Sequence, residues 1–338
     1  MSDRDSITSR YGRRRFIQSA AAAGTVATLG LAGCSETSDG DGGSGASGGD
    51  SGQGSGTTTN GDSSVDEYVL GSHHPLTGVF GDDGQMLDEA IRMRAQMQND
   101  AGGIEALDGA TVRVSSQDNE GAQENGGPIV ESLLEDGADS IIGCYTSPIT
   151  IAAANTAQEN QVPMVVSVAS SPEVLEGRGL DYVFRHQPPA PVQGRDYARW
   201  VPQIVRDAGY DFETVGLFHV NNEYGAATAD GVEENAEANG FEVVDRLSYD
   251  SGTSNFNTQM QRMGEVDPDA IAVTTYGAAG EPLINSLNNV GWFPKFLTGP
   301  GSTALSTDSI LEQMGEDANG AFHCSFGMNT SHPEYDGP

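Results

Sequence analysis

The residues best equipped for chemistry are hydroxyls in two short loops set one strand apart. Thr146 and Ser147 follow the apolar pair Ile141 and Ile142, and Ser170 and Ser171 follow the apolar run 162–168, with a helical segment between the two loops. Neither apolar run alternates with polar residues, as expected of parallel strands covered on both faces. Both loops then stand at the carboxyl ends of neighbouring strands, the edge of an open α/β sheet where ligands bind. Hydroxyls and free backbone N–H groups beside helix N-termini suit an oxyanion or an amide. Any one of these serines reads equally well as a helix cap. Two such loops one strand apart favour binding.

Other chemistry is poorly supported. Adjacent His73 and His74 have diverging side chains and no carboxylate or Cys at ligand spacing, so they read as decoration of a loop running from 73 to 84 rather than as a metal site. The chain carries no Gly-x-Ser-x-Gly elbow, no phosphate-cradling glycine loop and no Cys-x-x-Cys. No enzyme activity, metal or cofactor is therefore expected. Three cysteines imply no disulfide framework, and Cys144 and Cys324 read as small buried residues. Tyr224 and Tyr276 are aromatic candidates for stacking on a ligand, Tyr224 the better of the two. Arg185 reads equally as a cleft residue and as one half of a structural ion pair.

The formal net charge of the 338 residues is −33, with 49 acidic residues against 16 basic ones, and Lys295 is the only lysine. The acid is spread along the whole chain, which argues against a nucleic-acid partner because phosphates would be repelled. Abundant carboxylates with almost no lysine suit a protein kept soluble in concentrated salt, where self-repulsion is screened.

The first segment is an address. Arg13, Arg14 and Arg15 precede Phe16 and an apolar run over 19–31, too short and too rich in Ala and Gly for a stable membrane span. Leu31-Ala32-Gly33-Cys34 resembles a lipobox, in which the cysteine becomes the mature N-terminus and carries lipid. Residues 1–33 thus read as a twin-arginine lipoprotein signal that exports a folded protein and leaves it anchored outside the cell through Cys34. Residues 34–64 are Gly, Ser, Thr and Asp with almost nothing apolar, and read as a flexible tether.

From residue 65 the chain alternates. Strands are expected at 68–71, 111–116, 141–143 and 162–168, with helices at 85–99 and 122–134 and another between the last two strands. Met86, Ala90, Met93 and Met97 fall at core spacing in the first helix. Residues 182–191 read as a crossing. A second series follows: helices at 193–207, 225–239, 256–263, 281–289 and 306–314, and strands at 214–219, 242–248, 270–275, 296–298 and 321–325. Right-handed crossovers turn each series into a parallel sheet with helices on both faces. The fold class is α/β, with two Rossmann-like lobes and a hinge.

An ordered set of short motifs in this body resembles one family. Pro75-Leu76-Thr77-Gly78 follows the first strand, Asn99-Asp100-Ala101-Gly102-Gly103-Ile104 closes the first helix, and Ser116-Gln117-Asp118-Asn119 follows the second strand. Ile141-Ile142-Gly143, Val162-Pro163, Ala169-Ser170-Ser171-Pro172, Tyr182-Val183-Phe184-Arg185, Glu223-Tyr224-Gly225 and Pro268-Asp269-Ala270 complete it. Together they resemble the solute-binding proteins of branched-chain amino-acid-type ABC importers, of periplasmic-binding-protein fold type I. With the acidic body, this points to a haloarchaeal member. The resemblance implies lobe I over 65–188, lobe II over 189–328 and the start of a return to lobe I over 329–338, with the remainder missing.

It also implies capture of a small solute between the lobes, hinge closure and delivery to ABC permease subunits by a monomer tethered at the membrane. Carried over residue by residue, a ligand carboxylate falls to Ser147 and Ser170 with Thr146 and Ala169 adjacent, and Tyr224 packs on the ligand. The acids that commonly answer an ammonium fall on Ala190 and Gly301, so Asp82, Asp83 or Glu281 must substitute or the ligand is not an α-amino acid. Gly143-Cys144-Tyr145-Thr146-Ser147 is also similar to the loop of urea and short-amide binders. Alternatives to an amino-acid binder are therefore a urea or amide binder and a ligand-sensing receptor domain.

Overall fold

Two five-stranded sheets organise the protein, which a computed structural model describes over residues 65–305 and 308–324. The export signal, Cys34, the tether and residues 325–338 lie outside the described residues. The first sheet runs β2-β1-β3-β4-β5, built from β1 (Glu67–His74), β2 (Thr111–Asp118), β3 (Ser140–Gly143), β4 (Met164–Val166) and β5 (Val183–Arg185). Its helices are α1 (Gly81–Asp100), α2 (Gly126–Glu135) and α3 (Ser147–Glu159). The second sheet runs β10-β9-β8-β6-β7, and its chain order is α4 (Ala190–Asp207), β6 (Thr214–Val220), α5 (Glu223–Ala236), β7 (Glu242–Tyr249), α6 (Asn257–Val266), β8 (Ala270–Thr274), α7 (Gly280–Val290), β9 (Phe296–Pro300), α8 (Asp308–Met314) and β10 (Ala321–Cys324). Every strand pair whose register is described runs parallel, including Ile141 opposite Met164 and Ile271 opposite Leu297.

By internal contacts the described chain separates into two units. The smaller comprises 65–67 and 98–111. It closes on itself where Thr111 N–H donates to Asp66 O at 3.1 Å and where Ile104 bridges Ala110. The larger holds the cores of both sheets. Val130, Leu133, Ile141, Ile149, Ala153 and Met164 are fully buried beside the first sheet. Phe218, Phe256, Met260, Ile271 and Leu283 fill one side of the second, and Tyr197, Phe212, Val215 and Val232 belong to a separate core of that region. Burying such side chains is worth about 1.5–3 kcal/mol each, which is why these apolar strands carry the fold.

Helix α4 starts three residues earlier than its apolar spacing suggests. Pro191 sits in its first turn, where the missing N–H would have had no partner. It packs closely on α5 through glycines: a Cβ on Gly194 would lie 2.1 Å from Thr228 O, and one on Gly231 would lie 2.4 Å from Pro191 O. This close approach sets the first turns of both helices beside each other. Val183–Arg185, read as part of a crossing, forms the edge strand of the first sheet.

Two expectations are corrected. Met86, Ala90, Met93 and Met97 stay exposed, Met86 at 61% and Met93 at 62%. Helix α1 instead buries Gly81, Gly84, Asp88 and Ala95, because Ser116 donates to Asp88 and Arg92 pairs with it at 2.7 Å. His73 and His74 are not loop residues. β1 extends through them, His73 stands opposite Gly143, and both rings are fully buried. His74 exchanges hydrogen bonds with Ser72 and Ser167, each at 3.1 Å, and His73 Nδ1 lies 3.0 Å from Cys144 Sγ. Burial pushes the pKa of His73 down to about 3 and that of His74 down to about 4.

Candidate ligand-binding site

The strand-end loops of the first sheet are tied to each other. After β3 the chain passes through Tyr145, which has a left-handed φ of 45°, and enters α3 at Ser147 with Pro148 in the first turn. Thr150 Oγ1 donates to Thr146 O at 2.7 Å, which holds the entry of the helix. After β4 the chain runs through Ala169 and Ser170 to Ser171, whose hydroxyl accepts from Glu173 N–H and caps a short turn of helix. Ser171 N–H donates to Ser147 Oγ at 3.2 Å. Ser147 thereby spends an acceptor on the neighbouring loop and keeps its hydroxyl proton. Ser170 is buried and its hydroxyl has no hydrogen bond among the described residues.

The second sheet contributes the facing loops in the same way. Thr275 and Tyr276 follow β8, and Gly301 and Thr303 follow β9. Ser302 fastens these two loops: its Oγ accepts from Thr275 N–H at 3.2 Å and donates to Thr275 O at 2.9 Å. Tyr224, in the first turn of α5, donates to Gly301 O at 2.8 Å. Asn222 caps α5 by accepting from Gly225 N–H and donates through its amide to the Tyr276 hydroxyl at 2.9 Å.

These groups enclose one small cavity of about 30 Å³, lined by Tyr145, Ser147, Val168, Ala169, Ser170, Gln193, Tyr224, Thr275, Tyr276, Gly301 and Thr303. Most of the lining lies just past the carboxyl end of a parallel strand, and Ser147, Gln193 and Tyr224 lie in the first turn of a helix. Rings complete its wall: Tyr276 lies 5.4 Å from Tyr145, 5.0 Å from Phe80 and 5.6 Å from Tyr224. Burial pushes the phenols of Tyr145, Tyr224 and Tyr276 up, so they remain neutral hydrogen-bonding groups.

Of the residues singled out in the sequence, Ser147, Ala169, Ser170, Tyr224 and Tyr276 meet at this cavity. Thr146 is buried beside it without lining it. Asp83 is also outside the lining. Its carboxylate accepts from the Tyr145 hydroxyl at 2.8 Å, and burial raises its pKa, with Asp82 adding to the rise and Tyr145 opposing it. Asp82 and Glu281 are exposed. Arg185 donates to Ser171 O at 2.7 Å and so braces the second loop rather than lining the cavity. Tyr145, Val168, Gln193, Thr275 and Thr303 were missed as site residues. Position was the only signal for them, immediately after a strand or in the first turn of a helix.

A family model described as Periplasmic binding protein matches residues 67–337. The chain belongs to this family. Membership makes it a solute-binding protein and not an enzyme. It is 26% identical over 275 residues to Leu/Ile/Val-binding protein homolog 8 of Brucella abortus (strain 2308), covering 80% of this chain and 67% of that one. Among solved structures, the branched-chain amino acid transporter substrate binding protein LivJ of Streptococcus pneumoniae, in complex with isoleucine, shares the fold with a TM-score of 0.65 at 21% identity, over 76% of this chain and 70% of that one. An ABC transporter solute binding protein of Rhodopseudomonas palustris BisB5, in complex with 3,4-dihydroxybenzoic acid, gives a TM-score of 0.62 at 22% identity, over 75% and 66%. The chain spans about two thirds of the length of these relatives. The two parallel sheets are those of a type I periplasmic binding protein.

Proposed function

We propose that this periplasmic binding protein is the solute-capturing component of an ABC importer, holding a small polar solute in the cavity and delivering it to permease subunits in the membrane. The observation that carries the reading is convergence: strand ends of both sheets, with their hydroxyls and aromatic rings, meet around one small cavity. The names of the Brucella and Streptococcus relatives support an importer role and an amino acid as one ligand class. Lobes over 65–188 and 189–328 would hinge about the crossing between β5 and α4. The Arg13-Arg14-Arg15 signal and Leu31-Ala32-Gly33-Cys34 support export and a lipid anchor on Cys34, acting as a monomer on the outer face of the membrane.

Two experiments test this. Thermal shift in molar KCl against branched-chain and other amino acids, urea, short amides and small carboxylates should give a concentration-dependent rise with one of these classes, since a solute that binds only the folded state must stabilise it. A flat response to every class would refute solute capture. Membrane fractionation should find the wild-type chain in the membrane and Cys34→Ser released from it, and equal membrane retention of the two would refute the anchor.

A further inference from the structure

The cavity lining holds hydroxyls, rings, backbone and one carboxamide, and no charged side chain. That carboxamide is Gln193, 7% exposed, in the first turn of α4. Its Nε2 donates to Pro188 O at 2.9 Å, which settles which end of the amide is which. Its Oε1 is buried and accepts no hydrogen bond among the described residues. A buried acceptor left without a donor destabilises a fold, and a binding site is where the donor arrives with the ligand. Gly301 opens the space around Oε1: it has a left-handed φ of 65°, and a Cβ there would lie 2.0 Å from Gln193 Oε1.

The opposite wall has the complementary character. Ser147 has its acceptor engaged by Ser171 N–H, and Ser170 has no partner among the described residues, so both hydroxyls are available as donors. A ligand answering both walls presents a carbonyl oxygen to the serines and an N–H to Gln193. An ammonium would be buried with no carboxylate in the lining, at a cost that one neutral acceptor does not offset. Of the nearby acids, Asp83 accepts from Tyr145, and Glu223 lies outside the lining, its Oε2 buried without a hydrogen bond among the described residues.

We infer that Gln193 Oε1 is a specificity-determining acceptor for a neutral N–H, and that the solutes taken are small uncharged amides and ureas rather than zwitterionic amino acids. This rests on the solute-capture reading above and narrows it.

Isothermal titration of the full chain in molar KCl with acetamide, urea, acetate, glycine and leucine tests both parts. Acetamide or urea should bind saturably, and acetate, glycine and leucine at least tenfold more weakly. Gln193→Met should weaken the amide roughly tenfold or more, the loss expected for one buried hydrogen bond, while keeping a cooperative melt. Tighter binding of glycine or leucine would overturn the amide class and leave solute capture standing. Amide binding unchanged in Gln193→Met would overturn the role of Gln193. No binding of any probe to a cooperatively melting chain would overturn this inference and weigh against solute capture as well. If Gln193→Met fails to fold, Gln193→Glu carries the second arm: it keeps an acceptor but adds charge, and should favour glycine over acetamide.

Discussion

Gln193 occupies the space that any side chain at residue 301 would need, with its Oε1 2.0 Å from the position of a Cβ there. Gly301 also has a positive φ of 65°, which costs a non-glycine residue about 1–2 kcal/mol. Gly301→Ala should therefore lower the melting temperature and abolish solute binding, because the displaced carboxamide loses its place at the cavity. Combining it with Gln193→Ala should relieve the clash, so that the double variant is more stable than the two single losses predict by about 0.5–3 kcal/mol. Guanidinium titration of the four proteins measures this, and simple additivity would show that Gln193 is not what a side chain at 301 meets.

The two loop serines should separate by readout. Ser147 Oγ accepts from Ser171 N–H, so Ser147→Ala leaves a buried donor unmet and should cost roughly 1–2 kcal/mol of stability as well as affinity. Ser170 has no such duty among the described residues, and Ser170→Ala should weaken binding by roughly tenfold while leaving the melt unchanged. Equal effects of the two substitutions on stability would contradict these assignments.

Much of this was legible in the residues, and the exceptions have physical causes. The apolar runs around Ile141 and Met164 announced parallel strands but not their cover, since β4 buries Met164 and Val166 and leaves Val165 39% exposed instead of being covered on both faces. The hydroxyls that follow them reached the cavity because a parallel sheet delivers every such loop to one edge. Tyr276 and Gly301 arrive there from the second sheet for the same reason. The methionine stripe of α1 misled because spacing reports only that a helix has two faces. Which face turned inward was decided by the bonds of Asp88 to Ser116 and Arg92, between residues 28 and 4 positions apart. His73 and His74 misled because two polar residues before a proline suggest a loop, whereas pairing with Gly143 carries β1 through them. Gln193 was invisible for a different reason: its free Oε1 exists only because Nε2 reaches Pro188 O and residue 301 has no side chain.

The buried histidines predict acid sensitivity above the carboxylate range. Their folded pKa values, about 3 and about 4, lie below the ordinary 6.5, so the unfolded chain binds more protons than the folded one between those limits. Stability is then fully present above about pH 6.5 and is lost as the pH falls toward 4, each tenfold difference in proton affinity being worth about 1.4 kcal/mol. Asp88 near His74 opposes the shift only partly. The melting temperature should fall between pH 7 and pH 5, before most carboxylates titrate, and His74→Gln should flatten that slope. A melt independent of pH over this range would mean that the rings are not buried neutral.

Salt should stabilise the folded chain, and the sign follows from counting. Ion pairs at the surface such as Arg262 with Asp245 and Lys295 with Asp269, in which the cation is exposed and the acid largely covered, would weaken as salt is added, but a surface pair contributes only about 0–1 kcal/mol. Against them stands a net charge of −33 on 338 residues, whose mutual repulsion acts over a Debye length of about 10 Å at 0.1 M salt and about 3 Å at 1 M. With 49 acidic and 16 basic residues, most carboxylates have no cation to lose, so screening removes more repulsion than attraction. The melting temperature should climb steadily from 0.1 M to molar KCl, with NaCl giving a similar rise at equal ionic strength. A maximum near 0.1 M followed by a fall would show that the ion pairs outweigh the repulsion.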